Sequence, residues 1–186
     1  MKAVIVYESE FGATKLVAQA IEMGIGERMH TELLNVHDTA HFSLARTDLV
    51  VVGAPTHGRT IPTADSRLDG EIHRDRAFRS HRLQPNALGT GVREWLDTLE
   101  LDQSWCAAFT TRAHMSILLS GSAAPAILRA LRRAGGVNLA PPVGFLIEKD
   151  GALATNELRY AQDWGRQLGA AMAGAPGTPA LARPRT

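Results

Sequence analysis

The sequence has one cysteine, few aromatic residues and almost no net charge, and each shortage removes a class of protein. Cys106 stands alone, so neither an intramolecular disulfide nor a thiolate metal cluster can form. Its apolar setting, Trp105-Cys106-Ala107-Ala108-Phe109, reads as a buried structural thiol and not as a nucleophile. Lys and Arg number 20 against 19 Asp and Glu, a formal charge of +1. Such a balance provides no general polyanion-binding surface and argues against nucleic acid as a partner. No apolar run approaches the roughly 20 residues of a membrane helix, and Met1 leads into a strand without the basic flank and apolar stretch of a secretion signal. The expectation is a cytoplasmic protein with no membrane insertion. A length of 186 residues suits one domain with a sizeable core better than two small ones.

What is present begins with Val4-Ile5-Val6-Tyr7, a β-branched run that predicts a strand. A loop rich in small and hydroxyl residues follows (residues 9–14), and then Leu16, Val17, Ala20, Ile21 and Gly24 recur at helical spacing up to Gly24-Ile25-Gly26, where glycine can close the helix. Amides at a helix N-terminus lack intrahelical partners and sit at the positive end of the dipole, so with Ser9 and Thr14 beside them they suit a phosphate. An ordinary strand-to-helix turn also uses Ser and Thr caps. Position, hydroxyls and the second loop described below together favour the phosphate.

Residues 31–36 (TELLNV) read as an edge strand and residues 48–53 (DLVVVG) as a central parallel strand covered on both faces. Periodicity fails over residues 57–88, where Arg59, Arg67, Arg74, Arg76, Arg79 and Arg82 mix with His73, His81, Pro62 and Pro85. That stretch predicts a solvated surface excursion with room for one short helix. Its arginines could dock an acidic redox-partner protein or the phosphates of NAD(P)H, whereas His73 and His81 lack the spacing and third ligand of a metal site. Val92, Trp95, Leu96 and Leu99 predict one face of a helix, residues 105–110 a strand, and Ser122 the N-cap of a helix with Pro125 in its first turn and Gly135-Gly136 at its end. Residues 143–147 form a last strand, a final helix starts near Thr155, and residues 174–186 are too poor in apolar side chains to pack, giving a domain of residues 1–173 with a mobile tail.

This alternation predicts an α/β, doubly wound sheet of five parallel strands, with ligands beyond the strands' C-terminal ends. Three loops qualify: residues 9–14, 54–59 and 111–116. Competing phosphate-binding motifs are missing. There is no G-x-x-x-x-G-K-[ST], the nearest approach to G-x-G-x-x-G lies at the wrong end of the first helix, and Gly53 stands where a phospho-receiver needs an aspartate.

The stretches YESEFGAT followed by KLVAQAI, VVGAPTHG and GVREWL are similar to the flavodoxin-like FMN-binding family, over roughly residues 1–174. The resemblance implies a three-layer sandwich with strand order 2-1-3-4-5 and FMN as cofactor. Ser9 and Thr14 would give hydroxyls to the FMN phosphate, ringed by the amides of Glu10, Phe11, Gly12, Ala13 and Thr14. Ala54, Pro55, Thr56, His57 and Gly58 would run beside the isoalloxazine, and Thr110, Thr111, Arg112 and His114 would close its other side. Phe11 and Ala13 replace a hydroxyl and an asparagine usual in the family. Glu10 is expected to point into solvent or toward Lys15, because its charge would repel a phosphate dianion. Imidazoles at His57 and His114 stand where many relatives have aromatic rings. Three functions follow from the resemblance: an electron carrier between a reductase or nicotinamide donor and an acceptor, an FMN-dependent NAD(P)H:quinone oxidoreductase tuned by positive charge at His57, Arg59, Arg112 and His114, or an interaction module that binds FMN weakly. No catalytic residue is assigned beyond His57 as the best-placed acid–base group.

Overall fold

The computed structural model describes residues 1–72 and 89–174. The expected mobile tail beyond Gly174 lies outside the described residues, as do His73, Arg74, Arg76, Arg79, His81, Arg82 and Pro85.

The β-branched runs occupy the centre of the sheet. β1 (Lys2–Tyr7) and β3 (Leu49–Pro55) pair in parallel, with Ile5 opposite Val51 and Val6 opposite Val52. Successive side chains alternate between two cores, as the period of a strand requires. Ala3, Ile5, Leu49, Val51, Ala107 and Phe109 enter one core, and Val4, Val6, Val50, Val52, Cys106 and Ala108 enter the other. Both faces are dry, and each buried Val, Leu or Ile contributes about 1.5–3 kcal/mol. β2 (His30–Asn35) lies outside β1 with its side chains only partly buried, the edge position its mixed composition indicates. β4 (Trp105–Ala113) lies on the far side of β3.

The fifth position is filled by two pieces. β5 (Val137–Asn138) pairs with Trp105 and Cys106, and β6 (Val143–Ile147) pairs with residues 109–113, both in parallel with β4. Between them stand Pro141 and Pro142, which have no amide proton to give to a ladder. The order is therefore 2-1-3-4-5, as expected, with the last strand interrupted.

α1 (Ala13–Gly26) and α6 (Glu157–Gly174) cover the first core, while α3 (Val92–Asp97) and α5 (Ala124–Arg133) cover the second. Gly24 serves packing more than termination: a Cβ there would collide with the Gln162 carbonyl, and one at Gly165 would collide with the Ile21 carbonyl. The two helices touch backbone to backbone. Leu16, expected on the buried face, is half exposed and lines an open cleft with Leu153 and Leu158. The N-cap of α5 is Ala123 and not Ser122, and no side chain caps it, although Pro125 does occupy the first turn. Within the excursion, α2 (Ala64–Ile72) begins with Thr63 and Ser66 exchanging backbone-to-hydroxyl bonds of 2.8 and 3.1 Å, the reciprocal pairing of a capping box. A four-residue helix, α4 (Ile117–Ser120), was not foreseen; the Ser116 hydroxyl accepts from the Leu118 amide at its start. Cys106 is fully buried and its thiol is pushed up to about 11 by that burial, in keeping with a structural role. Among the described residues no helix is long and apolar enough to cross a membrane.

Gly165→Ala should lower the urea midpoint without changing the slope, by about 1–3 kcal/mol of overpacking. Gly26→Ala, whose Cβ would meet only the Thr31 side chain at 3.6 Å, should be neutral or stabilising.

Candidate functional site

Parallel register decides where the chain leaves the sheet. Tyr7 pairs with Gly53 and Gly53 with Phe109, while Ala54 pairs with Thr110 and Pro55 with Thr111. The loops after β1, β3 and β4 thus emerge side by side at one edge.

The first loop turns into α1 through Gly12, whose φ of 96° lies in the left-handed region that glycine alone adopts freely. Its amide donates to Ser9 Oγ at 3.1 Å, and the amides of Ala13, Thr14 and Lys15 open the helix without intrahelical partners. Thr14 is buried, with its hydroxyl 2.7 Å from that of Thr111, which lies within β4 because the strand runs on to Ala113 and the expected third loop begins only after it. In the second loop the Thr56 amide donates to the Thr111 carbonyl at 2.8 Å. Thr110 gives its hydroxyl proton to the Ala54 carbonyl at 2.7 Å, so Thr56 Oγ1, 2.9 Å away, donates to Thr110 while accepting from the Ala123 amide at 3.1 Å. Arg59, at a φ of 74°, forms a backbone bridge to Gly121, where a Cβ would collide with it.

Ser9, Gly12, Thr14, Thr56, Thr110 and Thr111 are therefore brought together. Ala54 is fully buried at the end of β3, Pro55 and His57 are partly buried, and Gly58 is exposed. Phe11 and Ala13 line an outward cleft of ≈ 530 Å³ with Lys15, Leu16, Leu153 and Leu158. Two predicted residues face elsewhere. Arg112 Nη1 donates to the Met115 carbonyl at 2.8 Å and to Ser120 Oγ at 3.1 Å, bracing the loop that carries α4. His114 Nδ1 lies 2.9 Å from Glu148 Oε1 on the open surface beside β6.

Beneath the first two loops lies a polar cluster of which the sequence reading caught only part. Glu8, Glu10 and Arg67 are each 1–2% exposed. Glu8 Oε2 accepts from the Val92 amide at 2.7 Å and Oε1 lies 3.4 Å from Arg67 Nη1, whose Nη2 reaches Glu94 Oε1 at 3.2 Å. Glu94 Oε2 in turn accepts from the Gly91 amide at 2.9 Å. Arg67 is thus not one of the solvated arginines of the excursion, since α2 carries it under the sheet edge to meet the carboxylates. Glu10 likewise points neither to solvent nor to Lys15. Its Oε1 lies 3.3 Å from His57 Nε2, and neither carboxyl oxygen has a formed hydrogen bond among the described residues.

Burial sets the protonation of this cluster. It raises Glu10 to about 8, with the Glu8 charge adding and Arg67 opposing. Glu8 is raised by the same desolvation, against the pull of the Val92 amide and Arg67. His57 is lowered by burial, partly offset by the Ser66 carbonyl. Glu94 is opposed by burial yet held below the usual range by Arg67 and nearby amides. At neutral pH the loop therefore carries an uncharged Glu10 beside an uncharged His57. The repulsion expected between Glu10 and a phosphate is removed by protonation instead of by orientation. Among the described residues no group of three or more His, Cys, Asp or Glu side chains could hold a metal.

Residues 4–67, from β1 into α2 and across the first two loops, match the family model described as a flavodoxin domain. Solved structures match the fold over almost the whole chain. A flavodoxin from the domain Archaea is 20% identical, with 94% of this chain and 100% of that one covered at a TM-score of 0.61.

The fold is flavodoxin-like.

The Flv1 flavodiiron core from Synechocystis is similar at 17% identity and a TM-score of 0.62, over 93% of this chain and 36% of that one. Oxidised Flavodoxin 2 from Bacillus cereus follows at 15% identity and 0.58, over 93% and 98%. A search of curated proteins gave no match. In this flavodoxin-like fold the signal for the buried cluster was faint but present. Glu8 and Glu10 stand two apart directly after a strand buried from Ala3 to Tyr7, where an extended continuation of the chain would carry both carboxylates to one side. Nothing in the local text separates Arg67 from its neighbouring arginines.

Arg67→Met should leave the Glu8 carboxylate in a dry site without its cation, at a cost of about 3–5 kcal/mol. Urea unfolding at pH 7 checks this. The deficit should shrink toward pH 4.5, because protonation removes the uncompensated charge.

Proposed function

We propose that this chain is an FMN-binding electron-transfer domain that takes electrons from a reductase or nicotinamide donor and passes them to an acceptor. The observation that carries the reading is the tied loop edge. A 14-residue helix, α1, opens on Gly12 in the left-handed conformation, with Thr14 joined to Thr111 and the second loop joined to Thr110 and Thr111. Its donor set suits a phosphate ester: successive amides at the positive end of α1, the hydroxyls of Ser9 and Thr14, and Lys15 alongside. The uncharged Glu10 removes the one feature that would reject such a group.

The amides of Ala13 and Thr14 would hold the FMN phosphate, with Ser9 and Thr14 orienting it. Residues 54–58 and residues Thr110 and Thr111 would wall the ring, whose bound form supplies one- or two-electron redox chemistry. The bridge between Arg59 and Gly121 and the Thr56 hydrogen bonds fix the spacing of those walls before any ligand arrives, the preorganisation that lowers the cost of binding. Charge favours the carrier over an NAD(P)H:quinone oxidoreductase. Of the four cations expected near the ring, His57 is held neutral, Arg112 is turned onto the Met115 carbonyl and His114 is turned onto Glu148.

Titration of the full chain should quench FMN fluorescence saturably. Thr14→Val should weaken binding about 10- to 100-fold, the loss of a hydrogen bond to a charged group, and Thr14→Ser should restore most of it. A chain that leaves FMN fluorescence unchanged at high micromolar concentration is an interaction module instead.

A further inference from the structure

Glu10 and His57 come from different loops, Glu10 from the phosphate loop and His57 from the loop after β3, and they meet in the interior. His57 Nδ1 lies 3.2 Å from the Ser66 carbonyl of α2. A carbonyl can only accept, so Nδ1 must carry the proton that bonds it. In an uncharged ring Nε2 is then a bare acceptor, and it faces Glu10 Oε1 at 3.3 Å. Two acceptors cannot stay that close in a dry site without a proton between them. Neither carboxyl oxygen of Glu10 has a formed hydrogen bond among the described residues, so the His57 ring is its nearest polar neighbour there, and at 2% exposure it has little access to water.

We propose that Glu10 and His57 share a single proton and form a proton-linked latch between the phosphate loop and the second loop, so that binding of a phosphate ester is coupled to that proton. The inference deepens the FMN reading and rests on it for the ligand. Among the described residues, the charged groups that act on the pair work in two directions. Glu8 at the end of β1 adds negative charge and favours keeping the proton. Arg67 of α2 opposes it and is itself shared with Glu94 of α3. His37, after β2, also feels Arg67 but carries little charge, because burial lowers it below its ordinary value. Burial of Glu10 weighs on the side of retention, up to about pH 8. While the proton is held, the pair is neutral and the α1 N-terminus can receive a dianion. Once it is lost, a carboxylate stands behind the same amides and the two loops face each other through two acceptors, the Glu10 carboxylate and the bare Nε2 of a neutral His57.

The sign follows from linkage. A bound dianion strengthens the pair's hold on its proton, so affinity must fall as pH rises through the release of that proton. The phosphate's own second ionisation, near pH 6, is complete below this window and does not confuse it. Two measurements on the full chain decide the matter. In the first, 15N spectra of the ring in the free protein should show His57 with a proton on Nδ1 and an acceptor Nε2 at pH 7, changing above pH 8 with loss of one proton. In Glu10→Gln, where the amide donates permanently, that change should vanish. A His57 that titrates freely near 6.5, or that is unaffected by Glu10→Gln, overturns the latch. In the second, the FMN dissociation constant should be level from pH 7 to about 8 and then rise toward about tenfold per pH unit, with the slope lost in Glu10→Gln. A flat wild-type profile, or a slope that survives in Glu10→Gln, overturns the coupling and leaves FMN binding intact. Failure to bind FMN at every pH overturns the proposed function and the coupling together, and the ring spectra then judge the shared proton by itself.

Discussion

Everything at the functional edge depends on the parallel register of β1, β3 and β4. Because Tyr7, Gly53 and Phe109 stand in one row, the segments that follow this row in the three strands run side by side, and short side chains suffice to join them. Thr14 meets Thr111, Thr56 meets Thr110, and Glu10 meets His57, so each segment is fastened to both others. A shift of one residue in any of these strands would exchange the two cores and turn every one of those side chains to the wrong face. Hydrophobic burial on both sides of the sheet fixes the register, and the register fixes the site.

The buried carboxylates sit against this background. Two glutamates and an arginine removed from water would be costly as separate charges, and the structure divides the cost unequally. Glu8 keeps a charge-competent set of partners in the Val92 amide and Arg67, while Glu10 is left with an imidazole and gives up its charge. Gly91 makes this arrangement possible, since a side chain there would occupy the space of the Arg67 guanidinium. The start of α3 is therefore shaped by the cluster as much as by its own apolar face.

The central strands were legible in the text because runs such as VIVY and DLVVVG can be buried on both faces only in a parallel sheet. The phosphate loop was legible because hydroxyls, a glycine and a helix start fall in one short stretch. The split of the fifth strand was not, because a two-residue strand has no periodicity to read, although Pro141-Pro142 marks the place where pairing must stop. The direction of Glu10 was missed for a different reason. Its neighbour His57 lies 47 positions along the chain and the Arg67 charge that acts on it 57 positions along, and local pattern carries no trace of partners that distant. The same holds for Arg112 and His114, whose types were identified correctly but whose partners, Met115 and Glu148, turn them away from the loop junction.

The divided fifth strand also bears on how another strand could add to this sheet. A long unbroken strand at the rim of a sheet is a template on which another chain can pair and aggregate. Here the rim on the β4 side is two residues, then a stretch holding two prolines, then five residues. No incoming strand can zip along it for more than a few hydrogen bonds. The interruption thus limits strand addition at the margin where the sheet would otherwise be easiest to extend.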